Sequence, residues 1–329
     1  MVNTLGAYAA RMNTLGIIIP TYNRPDTLSK SLTRLLSLPE NYLIYVVDDS
    51  LNSTIRKVVL EFENVKYLEG TGDLWWSGSI NKGMKFAIND SCNVIIWMND
   101  DCEVYAEDLV SLSLLAANNV NAIFSPGYLC RYYDNFEKHP GPLKSNTFKY
   151  IDNFKLIPLK ACSGQCVAFN SSVLSQLGFI DTVLFPHYGD TPFTYSAYKS
   201  GISIYEVSSL KVKIDYHFFR RIHPFWQVLL ATSPDNIVFI DYFTSKKSLW
   251  YLSHRLSWYI LTRKNLGYFI FIISFSTLLL SLFLAKILRI TFPSNLIFLR
   301  LFKLANFADL DSVRMIESDI LGHRNDTYL

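Results

Sequence analysis

The residues of this chain best suited to chemistry sit in three short clusters, each closing an apolar run. Residues 17–28 read IIIPTYNRPDTL, residues 46–50 read VVDDS, and residues 95–104 read IIWMNDDCEV. An apolar run that ends in a polar cluster is how a buried parallel strand looks when its carboxyl end opens onto a ligand crevice. Carboxylates at successive strand ends, Asp48 and Asp49 and then Asp100 and Asp101, suit a nucleotide held together with a divalent metal. Asp101 is the candidate ligand, because hard oxygen donors suit Mg²⁺ or Mn²⁺ and such ions take one or two carboxylates plus the substrate's own phosphates.

A fourth cluster, GDLWWSGSIN at residues 72–81, places two tryptophans between glycines. Glycine lets backbone approach a ligand closely, and an indole offers a flat face and one N–H donor. Trp76 is read as facing the pocket and its neighbour as packing.

The elements that must position these clusters follow from periodicity. A strand at Gly16–Ile19 is followed by Leu28, Leu32, Leu35 and Leu36 at helical spacing, with Pro25 in a first turn where proline is tolerated. Strands at Leu43–Val47, Val65–Leu68 and Val94–Met98 alternate with helices, one of them over about Ser79–Ile88. Such alternation means βαβ units and a parallel sheet. No G-x-G-x-x-G opens the first helix and no P-loop occurs, so a glycine-rich turn does not hold the phosphates. Residues 126–160 read as a long, poorly patterned connection, Ala161–Phe169 as a strand, and Ser171–Leu177 as a short helix closed by Gly178.

The chain has 329 residues, half of them hydrophobic, which suggests one large domain plus an appendage. A net charge of +3 gives no global field for nucleic acid. Five cysteines without a C-x-x-C pair fit a reducing compartment, and Ile17–Ile19 is too short a run for a signal peptide. From Lys246 to Lys303 there are nine Lys or Arg and no acid, and Leu266 to Ala285 carries no charge over 20 positions. That length just meets the requirement for a spanning helix, and the cations suit an anionic lipid surface. In-plane or hairpin attachment is the preferred reading, a single span the next, and a helix packed back on the catalytic domain the third.

Taken in order, these motifs resemble family-2 glycosyltransferases of the GT-A fold, and among them the rhamnosyltransferase-like members that build bacterial surface polysaccharides. PTYNRPDTL, VVDDS, GDLWWSGSINKGM and NDD carry the resemblance, with SGQCVAFNSSVLSQLGFID, LFPHYGD, WYILTRKN and ILGHRN further on. It implies an α/β fold, a Rossmann-like and mostly parallel sheet flanked by helices, with a C-terminal helical, membrane-associated region. The expected division is an extension over 1–15, a catalytic domain over 16–220 and a membrane-associated region over 221–329.

By the same resemblance, Asp48 accepts a hydrogen bond from a uracil or thymine, flanked by Thr21 and Tyr22 in the motif that Pro20 opens. Arg24 is placed to meet a phosphate, Asn99 and Asp100 line the nucleotide-sugar site, and Gly78 and Asn81 match the family's loop. Asp101 and His217 are the implied metal ligands, and Asp190 the implied general base. The implied reaction is inverting transfer from a UDP- or dTDP-sugar to a lipid-linked oligosaccharide, at the cytoplasmic face of the cell membrane.

Two departures keep alternatives open. The first Asp of the family's D-x-D is Asn99, and G-D-x-D-F-x-x-R here reads Gly189-Asp190-Thr191-Pro192-Phe193-Thr194-Tyr195-Ser196. The losses allow a weakened, membrane-bound subunit that only binds nucleotide-sugar or glycan. Asp48 or Asp49 could instead cap the following helix, and so could Ser50 or Ser53. Asp190 or Thr191 could cap a helix that Pro192 begins.

Overall fold

The computed structural model describes residues 14–132, 135–138, 149–151, 154–214, 223–230, 239–248, 250–292 and 294–305. It divides into two units, Met1–Asp215 and Tyr216–Leu329.

The first unit is built on a ten-stranded sheet. Its strands are β1 (Thr14–Thr21), β2 (Tyr42–Asp48), β3 (Val65–Glu69), β4 (Cys92–Met98), β5 (Ala122–Tyr132), β6 (Asn135–Lys138), β7 (Lys149–Ile151), β8 (Phe154–Leu159), β9 (Cys166–Asn170) and β10 (Ser203–Ile214). They lie in the order β3-β2-β1-β4-β9-β5-β10-β8-β7, with β6 on β5. The half carrying the acidic clusters is parallel: β3 on β2, β2 on β1 and β1 on β4. The mostly parallel expectation holds there and is interrupted at β9, which runs antiparallel to both β4 and β5, while β10 beyond it runs parallel to β5. That reversal brings the amino end of β9 beside the carboxyl end of β4, where Met98 pairs with Cys166.

Helices cover the sheet: α1 (Pro25–Leu35), α2 (Thr54–Val59), α3 (Trp75–Asn89), α4 (Ala106–Asn118), α5 (Ser172–Leu177) and α6 (Asp190–Lys199). In α1, Leu28, Leu32 and Leu35 are buried, the stripe their spacing predicts. Helix α3 starts four residues before its predicted start and lies close on β1, because Gly83 leaves no side chain to meet Ile18. The core packs Trp97 edge-on to Phe169 and to Trp76, with ring centres 5.2 and 5.6 Å apart.

Two sequence expectations are corrected here. Residues 126–160 are not an unpatterned connection, since β5 runs on to Tyr132 and β6, β7 and β8 follow. These strands lie toward the far edge of the sheet, and the described parts of β7 and β8 are only partly buried, so their alternation is weak. Ala161–Phe169 is a strand only from Cys166; Ala161 to Gln165 form a loop.

Parallel sheets of this kind bind ligands beyond the carboxyl ends of their strands, where the order reverses. Here β2 lies on one side of β1 and β4 on the other. Pairing of β1 with β4 ends at Ile18, so Ile19 to Thr21 keep only β2 as a neighbour. Pro20, which lacks an N–H, is tolerated there for that reason.

The second unit comprises α7 (Pro224–Leu230), α8 (Phe239–Thr244), α9 (Leu252–Arg263), α10 (Leu266–Thr291) and α11 (Asn295–Ala305). Val228 to Leu230, Tyr242 and Phe243 pack with Leu278, Leu282 and Ala285 of α10 and with Phe298, Leu299 and Phe302 of α11. Leu278, Leu282, Ala285 and Arg289 form one buried stripe. The rest of α10 exposes Ile272, Ile273, Leu280, Phe283 and Ile290. Its 26 residues have the length and composition to cross a membrane, and the most apolar 18-residue stretch is only 17% buried.

Candidate functional site

The three acidic clusters meet at the carboxyl edge of β1, β2 and β4. Thr21 ends β1, and its hydroxyl donates to Asp100 Oδ2 at 2.7 Å. Asn23 follows with φ of 53°, a left-handed turn that asparagine tolerates. It is held by its N–H to Ser50 Oγ at 2.8 Å and by the Asn52 amide on its Oδ1 at 2.5 Å. From this clamp Arg24 reaches both carboxylates, Nη2 to Asp100 Oδ1 at 2.5 Å and Nη1 to Asp101 Oδ2 at 3.0 Å.

The two aspartates are not equivalent. Asp100 is fully buried, and burial raises its carboxyl to about 6 although Arg24 pulls the other way. Burial alone would lower Arg24, but Asp100 and Asp101 together hold it above its ordinary value. Asp100 is therefore a buried partner that positions Arg24 and Thr21, and it offers no exposed face to a nucleotide. Asp101 is the outer residue, with a side chain 24% exposed. Its Oδ1 is buried and has no hydrogen-bond partner among the described residues.

That orphaned oxygen fits a hard divalent cation, which needs only one or two protein carboxylates when phosphates supply the rest. Among the described residues no three His, Cys, Asp or Glu side chains cluster to hold a metal by themselves. His217, the second implied ligand, lies outside the described residues. Within the described residues, Lys213 of β10 pairs with Glu103, two residues beyond Asp101, through N–H to O bonds of 2.8 and 3.0 Å.

Asp48 and Asp49 divide their work as well. Asp48 is fully buried, its Oδ1 accepting from Ser50 N at 2.9 Å and its Oδ2 from the Tyr67 hydroxyl at 3.0 Å. Asp49 gathers the glycine–tryptophan loop: Oδ1 accepts from Thr71 N at 3.2 Å and Gly72 N at 2.8 Å, and Oδ2 from Trp75 N at 2.9 Å. The capping alternative thus falls to Asp49, and the helix is α3 rather than the next one. Ser53 precedes α2 without a side-chain cap, and Asn52 accepts from Thr54 N at 3.0 Å instead.

Trp75 and Trp76 open α3. Trp76 Nε1 donates to Asn99 Oδ1 at 2.8 Å, so its polar edge meets the end of β4 while its ring packs on Trp97. Trp75 sits at φ of 56°, strained for a bulky residue, with its Nε1 on Asp73 Oδ1 at 2.5 Å and its ring edge-on to His187 at 6.0 Å. Tyr22 is 52% exposed at the mouth. Gly78 is buried inside α3, where an added Cβ would first meet the Leu74 side chain, at 3.2 Å. Asn81 donates to Ile180 O at 2.8 Å and accepts from Ile180 N at 3.0 Å. Its amide is committed to holding the 180–189 loop, and nothing there marks a ligand contact.

Asp190 joins the site through a loop that sequence reading took for strand. Its Oδ2 accepts from Gly164 N at 2.6 Å, while Thr194 Oγ1 ties the same helix to Cys162 by donating to its carbonyl and accepting from its N–H, both at 3.1 Å. Gly164 fits because a Cβ there would stand 2.6 Å from Asp190 Cβ and 2.7 Å from the Trp76 ring. One residue on, the Gln165 carbonyl accepts from Asn99 N at 2.8 Å. Asp190, Gly164, Trp76, Asn99 and the acidic pair are thereby linked in one chain of contacts. Helix α6 begins at Asp190 itself, after Gly189, and has no side-chain cap; Pro192 is its third residue.

Sequence reading missed Gly164, Tyr67 and the Trp76–Asn99 bond. The SGQC motif was the visible signal for Gly164; nothing in the sequence signals the other two.

Comparison with known proteins bears on the family and the fold. Residues 16–178 match the family model for glycosyl transferase family 2. A Haloferax volcanii protein, low-salt glycan biosynthesis hexosyltransferase Agl10, is 24% identical over 61% of this chain and 67% of its own length. The Escherichia coli chondroitin synthase is 27% identical over 57% of this chain, which spans only 32% of that relative. A solved structure of GalNAc-T7 with UDP, GalNAc and Mn²⁺ superposes with a TM-score of 0.52 at 15% identity, over 63% of this chain and 44% of that one, and shows the shared GT-A fold. With the mixed sheet and the acid-tipped strand ends inside the matching stretch, residues 16–178 of this chain form a glycosyl transferase family 2 domain.

Proposed function

We propose that this chain is an inverting glycosyltransferase that moves a sugar from a UDP- or dTDP-sugar to a hydroxyl of a lipid-linked glycan. The reaction would take place at the cytoplasmic face of a membrane, during assembly of a surface polysaccharide. The observation that carries the reading is the continuous contact chain from Asp190 through Gly164, Trp76 and Asn99 to Asp101 and Arg24. It links the proposed proton acceptor to the Asp101 carboxylate and to the exposed part of Arg24.

In the mechanism, the acceptor oxygen forms a bond to the anomeric carbon from the face opposite the diphosphate. The bond from that carbon to the diphosphate oxygen breaks, and the hydroxyl proton passes to Asp190. Gly164 N–H fixes one oxygen of Asp190 and so aims the carboxyl group. Arg24, seated on Asp100 and Asp101 and 47% exposed, offers guanidinium N–H groups to the departing diphosphate. A Mg²⁺ or Mn²⁺ on Asp101, with His217 as second ligand, would neutralise the leaving group's charge without a proton. Asp48 is the proposed base-reading group, with Tyr22 exposed at the mouth and Thr21 buried beside it; a base that Asp48 reads takes the place of the Tyr67 hydroxyl on Oδ2.

Membrane attachment is supported by the exposed apolar surface of α10 and by the cations around it. Both curated relatives carry names of glycan-building enzymes, in keeping with a polysaccharide product. The altered residues Pro192 and Ser196 motivate the second reading, a weakened binding subunit. Nucleoside diphosphate release from a panel of activated sugars, measured with membranes containing the full chain, decides between them. Release above the level of an Asp101→Ala control supports transfer, and none from any donor supports the binding subunit.

A further inference from the structure

The carboxylate assigned to the base is already engaged by the chain itself. Asp48 has no accessible surface; its Oδ1 holds Ser50 N–H at 2.9 Å and its Oδ2 the Tyr67 hydroxyl at 3.0 Å. A carboxylate so enclosed meets an incoming donor only when a group that covers it moves.

Its two donors differ in their freedom to do so. Ser50 N–H is main chain, in a turn that Ser50 Oγ fixes to Asn23 N at 2.8 Å. Tyr67 is a partly exposed side chain on β3, the edge strand of the described sheet, which β2 flanks on one side only. In the β2–β3 register Tyr67 stands beside Val46, on the face that Asp48 shares, so its ring reaches the carboxylate from the open edge. The ring's other charged neighbour is Arg56 of α2, an exposed side chain whose guanidinium carbon lies 5.8 Å from the ring centre. A contact of that length at an exposed site holds the ring weakly. Withdrawal from water, and then the bond to Asp48, push the phenol up to about 12, so it stays a neutral donor throughout the working pH range. It therefore gives Asp48 what the imide of a uracil or thymine would give, one uncharged hydrogen-bond donor.

We propose that the Tyr67 hydroxyl stands in for the nucleotide base, leaving Asp48 when the imide N–H of uracil or thymine arrives and returning as the nucleoside diphosphate departs. This rests on the reading of Asp48 as the base-reading group and adds a residue that sets nucleotide affinity and the rate of product release. In each direction one donor replaces another on Oδ2, so the buried charge keeps a partner throughout, and the displaced hydroxyl turns to water at the sheet edge. The exchange weakens nucleotide binding by about the worth of one bond to a carboxylate, a factor of about ten or more. That favours turnover, because a product held too tightly limits kcat.

The test is titration of the detergent-solubilised full chain, with Mg²⁺ present, using UDP and dTDP, each beside its N3-methylated analogue, with dissociation rates from stopped flow. Tyr67→Phe should bind the preferred nucleotide about tenfold tighter than wild type, mostly through slower dissociation. Without nucleotide its melting temperature should fall, because Asp48 loses a donor, and nucleotide should raise it by more than in wild type. The methylated analogue lacks the imide N–H; it should bind wild type about tenfold or more weakly than its parent and gain nothing from Tyr67→Phe. A tyrosine that serves stability alone would lower the melting temperature without tightening binding. Circular dichroism checks that the variant folds, and if Tyr67→Phe does not, Tyr67→Leu, which also lacks the hydroxyl, decides alone. Nucleotide affinity unchanged or weakened in the folded variant, with the analogue still rejected by wild type, overturns the role of Tyr67 and leaves Asp48 as base reader. An analogue that wild type binds as tightly as its parent refutes the base reading itself, and this inference with it.

Discussion

Replacing Asp190 with Asn separates the proposed chemistry from the architecture at a residue that would serve both. In the structure its carboxylate does not cap α6; it accepts the Gly164 N–H at 2.6 Å and holds the 162–165 loop against Trp76. Asparagine keeps an oxygen for that bond and loses the charge. A hydrogen bond to a charged group contributes about 1.5–3 kcal/mol and a neutral one about 0.5–1.5, so the stability cost is on the order of 1 kcal/mol. In a domain of this size that lowers Tm by about 2–4 °C. Removing a positioned general base costs about 10²- to 10⁴-fold in rate, roughly 3–5 kcal/mol of barrier. The rate loss should therefore exceed the stability loss several-fold, with donor affinity nearly unchanged because Asp190 is not among the groups assigned to the nucleotide. The assays are nucleoside diphosphate release at saturating donor, nucleotide binding and a thermal melt on the same preparation. A rate within about threefold of wild type, alongside the small melting shift, would show Asp190 to be a loop clamp only. His187 would then be the next base to test, since Asp181 already spends its Oδ1 on Val183 N and Leu184 N.

Asp101→Ala should abolish product release while the melting temperature holds, and excess chelator should do the same to wild type; full activity under either condition removes the metal from the mechanism. Gly164→Ala pushes a methyl group to 2.6 Å from Asp190 Cβ and 2.7 Å from the Trp76 ring. It should cost about 1–3 kcal/mol of stability and most of the activity, and wild-type values for both would show the loop to be free to shift. Asn81→Leu breaks both bonds to Ile180 and should destabilise by about 1–3 kcal/mol with nucleotide affinity retained. A loss of nucleotide affinity at unchanged stability would instead make Asn81 a ligand contact. Deletion from Leu266 onward should release the protein from membranes, and a folded truncate that still floats with lipid places the attachment elsewhere.

Where local physics is strong, the sequence was enough. The runs before Thr21, Asp48 and Asn99 are continuous because their strands are buried on both faces, so the parallel half of the sheet and its acidic edge could be read directly. The leucine stripe of α1 and the uncharged length of α10 were equally legible. The acidic positions were visible too, but not their division of labour. Asp48 and Asp49 are neighbours with the same side chain, yet one faces Tyr67 and the other the α3 start, because successive residues at a strand end point to opposite sides. Asp100 and Asp101, in the turn after β4, divide too, one buried under Thr21 and one with an oxygen that has no hydrogen-bond partner among the described residues. Asp190 lies 89 residues beyond Asp101 in the chain. Only the antiparallel insertion of β9 between β4 and β5 brings the Gly164 loop to the carboxyl end of β4, and with it the carboxylate. Residue types and strand-end positions were thus fixed by composition and periodicity, whereas the pairing of distant groups was decided by sheet order, which no local pattern encodes.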